Sequence, residues 1–277
     1  MTGTKPFLDR ESLALLAAVA KAAEELAIRW MVTGAAGRGL LLEGVYGLPH
    51  GRRTRDIDLG IMAADWGQYQ ALVSRLREDP RFRPDRKQRQ RLRFDDHGLL
   101  DLVPFGGVEN QDRPIHWPPD GDFAMSVLGF REAYAEAVPV KLSDLTVPVV
   151  SPVGLLLLKL VAWRERHAAQ PGKDAADLAY VLRYSSSILT EPVLFDDYFE
   201  VVEKSDYDLD LAASRVLGRK MAHLAGQDAG DFILSLLGEE LDQGRDSLLV
   251  REVGRQLGGA GRRKGLGSAA RSPRRFR

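Results

Sequence analysis

Arg53-Thr54-Arg55-Asp56-Ile57-Asp58-Leu59-Gly60-Ile61-Met62 alternates acids and a glycine with aliphatic side chains. Period-two alternation marks a half-buried strand, so the pattern predicts one over 56–62. Ile57, Leu59 and Ile61 then share one face, and Asp56, Asp58 and Gly60 the other. Two carboxylates about 7 Å apart on one strand face can chelate a hard divalent cation, most simply Mg²⁺ carrying nucleotide phosphates. The competing reading is a solvated strand face.

Upstream, Trp30–Thr33 is apolar and runs into Gly34, which predicts a strand entering a tight turn. It follows a helix expected over 11–29 with Asp9 as N-cap, and precedes a short helix over 36–46. Downstream, the pattern predicts a helix over 66–78, then strands over 90–95 and 99–105 joined by a turn at 95–98. A Pro- and Asp-rich loop over 110–122 and a hairpin over 138–142 and 145–150 complete this half. Asp101 is a lone acid inside the apolar run Leu99–Val103. A buried carboxylate is costly alone, so Asp101 requires a cation, a basic partner or an exit to solvent. Three carboxylates from neighbouring strands suit a two-metal site, in which one ion activates an attacking hydroxyl and the other stabilises a pyrophosphate leaving group.

After Ser151 the periodicity becomes helical, over 152–166, 173–184, 191–203, 208–225, 229–243 and 246–257. The expected class is α+β: a mixed β-sheet flanked by helices over 1–150, a helical bundle over 151–257, and a disordered basic tail over 258–277. The 277 residues carry 39 Lys or Arg and 39 Asp or Glu. The neutral total hides an asymmetry. The tail holds seven basic residues and no acid, which leaves the rest of the chain seven charges negative. So polar a tail cannot offset its ordering entropy; it is either a phosphate-attracting arm or a solubilising end. The run 81–93 has seven Arg or Lys in thirteen residues. It either guides a nucleic-acid acceptor or is a solvated face. The absence of Cys excludes disulfides, thiolate metal sites and Cys nucleophiles. Five unpaired His argue against a His-built zinc site. No apolar run is long enough to span a bilayer, and the first ten residues lack a leader pattern. A cytoplasmic protein with no membrane partner is the expectation.

The ordered set Val32-Thr33-Gly34-Ala35-Ala36, Arg53-Thr54-x-Asp56-x-Asp58 and Asp101 resembles the DNA polymerase β-type nucleotidyltransferase superfamily. Lys159 in Leu157-Leu158-Lys159-Leu160, with Lys173-Asp174-Ala175-Ala176-Asp177, is most similar to the AbiEii/AbiGii-type nucleotidyltransferase toxins. The resemblance spans residues 30–184. It implies a nucleotidyltransferase-like N-terminal sheet, an NTP substrate and two Mg²⁺ ions on Asp56, Asp58 and Asp101. It also implies an RNA, tRNA or protein acceptor, and an antitoxin partner. Gly34, Ala35, Arg53, Thr54, Lys159, Lys173, Asp174 and Asp177 become nucleotide-binding candidates. Each keeps a plainer alternative: a strand-ending glycine, an exposed arginine, a lysine reaching solvent, or acids complementing a helix dipole. Ala35 departs from the family's usual Gly or Ser. Rival readings are a catalytically silent nucleotide binder, an RNA-binding module and an antibiotic-modifying nucleotidyltransferase.

Overall fold

The computed structural model describes residues 8–49, 56–109, 114–119, 121 and 124–261. Arg53, Thr54 and the tail from residue 262 lie outside the described residues. Helix α1 (Arg10–Glu25) is capped by Asp9, whose side chain accepts from the Ser12 N–H at 2.8 Å. It ends earlier than the predicted residue 29, because Ala27 adopts a left-handed turn (φ 52°) that reverses the chain into β1 (Arg29–Thr33). Helix α2 (Gly34–Arg38) begins directly after β1 and continues as a wider π-helical segment over Gly39–Val45. In that segment Leu40, Leu41, Leu42 and Glu43 are all buried, a consecutive run that a single amphipathic face does not accommodate.

The predicted central strand is β2 (Asp56–Ala63), followed by α3 (Trp66–Arg77). A short strand β3 (Phe82–Pro84), missed in the sequence, precedes β4 (Arg91–Phe94) and β5 (Gly98–Gly106). The expected 110–122 loop contains a strand, β6 (Pro114–His116), which pairs with β7 (Ala124–Ser126). Helix α4 (Phe130–Ala135) leads to the predicted hairpin β8 (Val138–Leu142) and β9 (Leu145–Val149). The main sheet has seven strands in the order β3-β4-β5-β2-β1-β9-β8. It is mixed: β2 runs parallel to β5 and β1 parallel to β9, while the other pairings are antiparallel.

The helical half comprises α5 (Pro152–Arg166), α6 (Lys173–Arg183), α7 (Ser185–Ile188), α8 (Glu191–Asp197), α9 (Phe199–Glu203), α10 (Leu209–Leu224), α11 (Gly226–Asp242) and α12 (Leu248–Gly261). The single helix expected over 191–203 is broken into two at Tyr198. Ser151 caps α5 by accepting from the Gly154 N–H at 2.9 Å, and Pro152 occupies the tolerated first turn. Leu155 and Leu157 of α5 are buried in the same apolar cluster as Leu59, Leu100 and Leu102 of the sheet. Each such side chain contributes about 1.5–3 kcal/mol. One continuous apolar core therefore takes in both α5 and the sheet. A smaller cluster around Leu194, Val201 and Val216 holds α8, α9 and α10 together. Among the described residues, no helix is long and apolar enough to cross a membrane.

Candidate active site

Register builds the site. Thr33 pairs with Asp58 across the antiparallel β1–β2 ladder, and Asp58 pairs with Asp101 across the parallel β2–β5 ladder. Paired residues on adjacent strands project to the same face, so the Asp58 and Asp101 carboxyls are neighbours, with Asp56 two residues along. Burial and the adjacent Asp101 push the Asp58 carboxyl up to about 6, while the charges of Lys159, Lys173 and Arg166 partly offset this. An acidic sheet face thus looks toward cations carried by α5 and α6.

Gly34 closes the site from above. Its φ is +62°, and a Cβ there would stand 2.1 Å from Asp58 Oδ2. Both the backbone conformation and the space demand glycine. Gly34→Ala should therefore cost about 1–3 kcal/mol and displace the Asp58 carboxylate. Thermal melts check this, and an unchanged midpoint would mean that the turn relaxes freely. Ala35, half-buried, is the second residue of α2.

Asp101 takes the second of its sequence options, a basic partner. Arg91, its register partner on β4, grips it in a two-pronged pair: Nε to Oδ1 and Nη2 to Oδ2, both 2.7 Å. The same guanidinium lies 3.8 Å from Asp56 Oδ2. Among the described residues, no group of three or more His, Asp or Glu side chains is spaced to hold a metal ion as it stands. The donor chemistry nevertheless fits one. Asp56, Asp58 and Asp101 are hard oxygen donors on one face, and the cation now between two of them is a side chain.

Lys159 sits elsewhere than in an open cleft. It is buried on α5, with Nζ 2.9 Å from Asp174 Oδ1 and 2.6 Å from Asp177 Oδ2. Arg166, two turns further along α5, donates from Nε and Nη2 to Asp174, both at 2.7 Å. Arg38 of α2 donates to Asp177 at 2.8 Å, approaches Glu43 at 3.5 Å and lies over the Tyr180 ring. Hydrogen bonds from Arg166 and the charge of Lys159 outweigh burial and hold the Asp174 carboxyl down to about 2. Asp174 and Asp177 are therefore polar braces linking α5, α6 and the helix after Gly34. Lys173, by contrast, is exposed at the start of α6, which Gly172 enters with φ +72°.

Four of the side chains in this site, Arg91, Arg166, Arg38 and Glu43, were not singled out in the sequence. Arg166 could have been found by its seven-residue spacing from Lys159, which places both on one helix face. Arg38 and Glu43 carried no such signal.

The family model described as nucleotidyl transferase AbiEii toxin, type IV TA system, matches residues 24–251. No curated protein matches the chain. Solved structures that resemble it include the following. The solution structure of the antibiotic-resistance factor ANT(2'')-Ia is 16% identical with a TM-score of 0.43, over 72% of this chain and 99% of that one. A crystal structure of ANT(2'')-Ia in complex with adenylyl-2''-tobramycin is 15% identical with a TM-score of 0.40, over 74% and 97%. An antigenic nucleotidyltransferase-like protein from Paracoccidioides brasiliensis is 19% identical with a TM-score of 0.43, over 76% and 95%.

Proposed function

The chain belongs to the AbiEii nucleotidyl transferase toxin family of type IV toxin–antitoxin systems, and from this we propose that it moves a nucleoside monophosphate from an NTP to the hydroxyl of an RNA acceptor such as tRNA. The observation that carries the proposal is the register that sets Asp58 beside Asp101 and directly under Gly34. It gathers an anionic centre and a close-approach turn within one site.

Asp56, Asp58 and Asp101 would hold Mg²⁺, which when bound offsets phosphate charge and eases ionisation of an attacking hydroxyl. The remaining work falls to the chain. Backbone N–H groups at Gly34 and Ala35 would take phosphate oxygens. Lys173 and Arg166 add positive charge toward the triphosphate. The acceptor oxygen attacks the α-phosphorus, and the bond from that phosphorus to its bridging oxygen breaks. The hydroxyl proton passes to a carboxylate oxygen of Asp101, and pyrophosphate leaves. Positioning and charge neutralisation account for most of the acceleration.

An RNA acceptor suits the edge of the sheet. Arg83, Arg86, Lys87, Arg89 and Arg93 are exposed on and between β3 and β4, next to the strand that bears Asp101. Such a basic edge attracts a polyanion. We assign restraint of the toxin to an antitoxin encoded with it.

The test is transfer of α-labelled nucleotide from each NTP to total cellular RNA with Mg²⁺ present, and the Asp56→Ala/Asp58→Ala protein as control. Label in RNA that vanishes in the control is expected. Full activity in the control would refute the carboxylate assignment. Label on protein or on an aminoglycoside would overturn the RNA acceptor. Ala35 and the Arg91 grip favour one second reading, a nucleotide binder without transfer. Saturable NTP binding without any label would select it.

A further inference from the structure

Arg91 presents a conflict. Asp101 is a candidate cation ligand, yet both of its oxygens accept from one guanidinium at 2.7 Å. The same group leans toward Asp56 at 3.8 Å. Arg91 therefore spans β4, β5 and β2 and supplies one positive charge where three carboxylates gather. A divalent cation on these carboxylates would meet a like charge within a few ångströms in a poorly solvated place, which is strongly unfavourable. Either Arg91 moves or the cation does not bind.

The surroundings allow it to move. The Arg91 side chain keeps 23% of its surface exposed. Its own carbonyl accepts from the Asp85 N–H at 3.0 Å, so the 85–91 turn is closed on itself. The Asp85 carboxylate is shaped by the N–H groups of Lys87 and Gln88 and lies 3.7 Å from Arg93. The Arg91 charge already helps to hold the Asp85 carboxyl below its ordinary value. Asp85 is thus a second anion within electrostatic reach of the guanidinium.

We propose that Arg91 is a resident counter-ion that keeps the carboxylate site closed, and that a divalent cation opens it by displacing the guanidinium from Asp101 toward Asp85. This rests on the reading of Asp56, Asp58 and Asp101 as a cation site. Arg91 is then a positioning residue, acting through Asp101. It protects the metal-free fold from carboxylate repulsion and raises the threshold for metal loading. A monovalent cation gains too little to make the exchange.

The experiment is direct Mn²⁺ binding to the full-length, nucleotide-free protein, followed by electron paramagnetic resonance of free Mn²⁺. Wild type, Arg91→Met, Arg91→Lys and Asp58→Asn are compared. Arg91→Met should bind Mn²⁺ about tenfold more tightly than wild type, the factor expected when one charge-assisted competitor is removed. Arg91→Lys keeps the charge without the two-pronged grip, so it should shift affinity in the same direction by less. It decides the matter if Arg91→Met does not fold. Melting in EDTA should drop for Arg91→Met, and Mn²⁺ should raise its midpoint more than it raises that of wild type. Binding that is equal or weaker in both Arg91 variants, with wild type binding and Asp58→Asn not, would overturn the counter-ion role and leave the cation site standing. No binding in wild type or any variant would overturn both.

Discussion

Asp58→Asn should abolish nucleotide transfer and, in the metal-free protein, raise the melting midpoint. Desolvation, followed by the neighbouring Asp101, lifts the Asp58 carboxyl to about 6 from its ordinary 3.8. The sign follows directly. A raised folded-state pKa gives stability that is complete below about pH 4 and is lost as the pH rises through about 6. At pH 7.5 the folded state therefore carries an ionised, poorly solvated carboxylate beside another anion. A shift of that size corresponds to about 1–3 kcal/mol, the lower end applying because Asp58 keeps some exposure to water. Asn is isosteric and uncharged, so the cost disappears. For a chain of this length the midpoint should rise by roughly 2–8 °C. On the proposed function the same change would remove a cation ligand and should lower transfer by about 10³-fold or more. Melts in EDTA at pH 5.5 and 7.5 provide the internal check. The wild-type midpoint should be higher at pH 5.5, and the Asn variant should lose most of that difference. A lower midpoint for Asp58→Asn at pH 7.5 would instead make Asp58 a structural acid. Gaining stability while losing function is what a strained catalytic group predicts.

Much of this centre was legible before any coordinates. Alternation over 56–62 fixed the strand and the face of its acids, and burial follows it: Ile57, Leu59 and Ile61 are buried while Asp56 and Asp58 keep some exposure. The strand–glycine junction at 33–34 was equally plain, because an apolar run that stops at glycine has few other readings. Arg91 was hidden because strand bounds alone do not fix a register. The sequence suggested strands over 90–95 and 99–105 joined by a tight turn at 95–98. Phe94 pairs with Gly98 and Asp95 adopts φ 48°, which sets Arg91 opposite Asp101. A one-residue slip would put a leucine beside the acid instead, so the pairing follows from the fold and not from the pattern. The role of Lys159 was obscured for a different reason. Helical spacing says that Lys159 lies on a given face of α5, but not which acids another helix brings to it. Only the packing of α6 on α5 puts Asp174 and Asp177 around its ammonium. Arg38 and Glu43 lie in the helix that widens after Gly39, where simple periodicity no longer assigns faces.

That network supports the second large expectation, for Lys159→Met. Met nearly matches the lysine stem, so the lost interaction is the charge. Three cations, Arg38, Lys159 and Arg166, meet three anions, Glu43, Asp174 and Asp177, and Lys159 is buried. Removing one partner from a buried ionic cluster leaves an uncompensated charge and typically costs about 3–5 kcal/mol. The midpoint should fall by roughly 6–15 °C. The Lys159→Met/Asp177→Asn protein restores neutrality, so its loss should be smaller than the sum of the two single losses by about 1–3 kcal/mol. Acid sensitivity should change as well. Asp174, held down to about 2, contributes stability above pH 4 that is lost as the pH falls toward 2. Without Lys159 that acid loss should be smaller and complete at a higher pH, because one of the charges holding the carboxyl down is gone. The alternative, a lysine whose main partner is the triphosphate, predicts the opposite pattern: an unchanged midpoint and NTP affinity reduced by about tenfold or more. Since Arg38 links the same cluster to the helix that starts at Gly34, the brace reading predicts one more result. Nucleotide affinity in Lys159→Met should recover when the fold is stabilised from outside by an osmolyte, which tightens packing but cannot replace a missing phosphate contact.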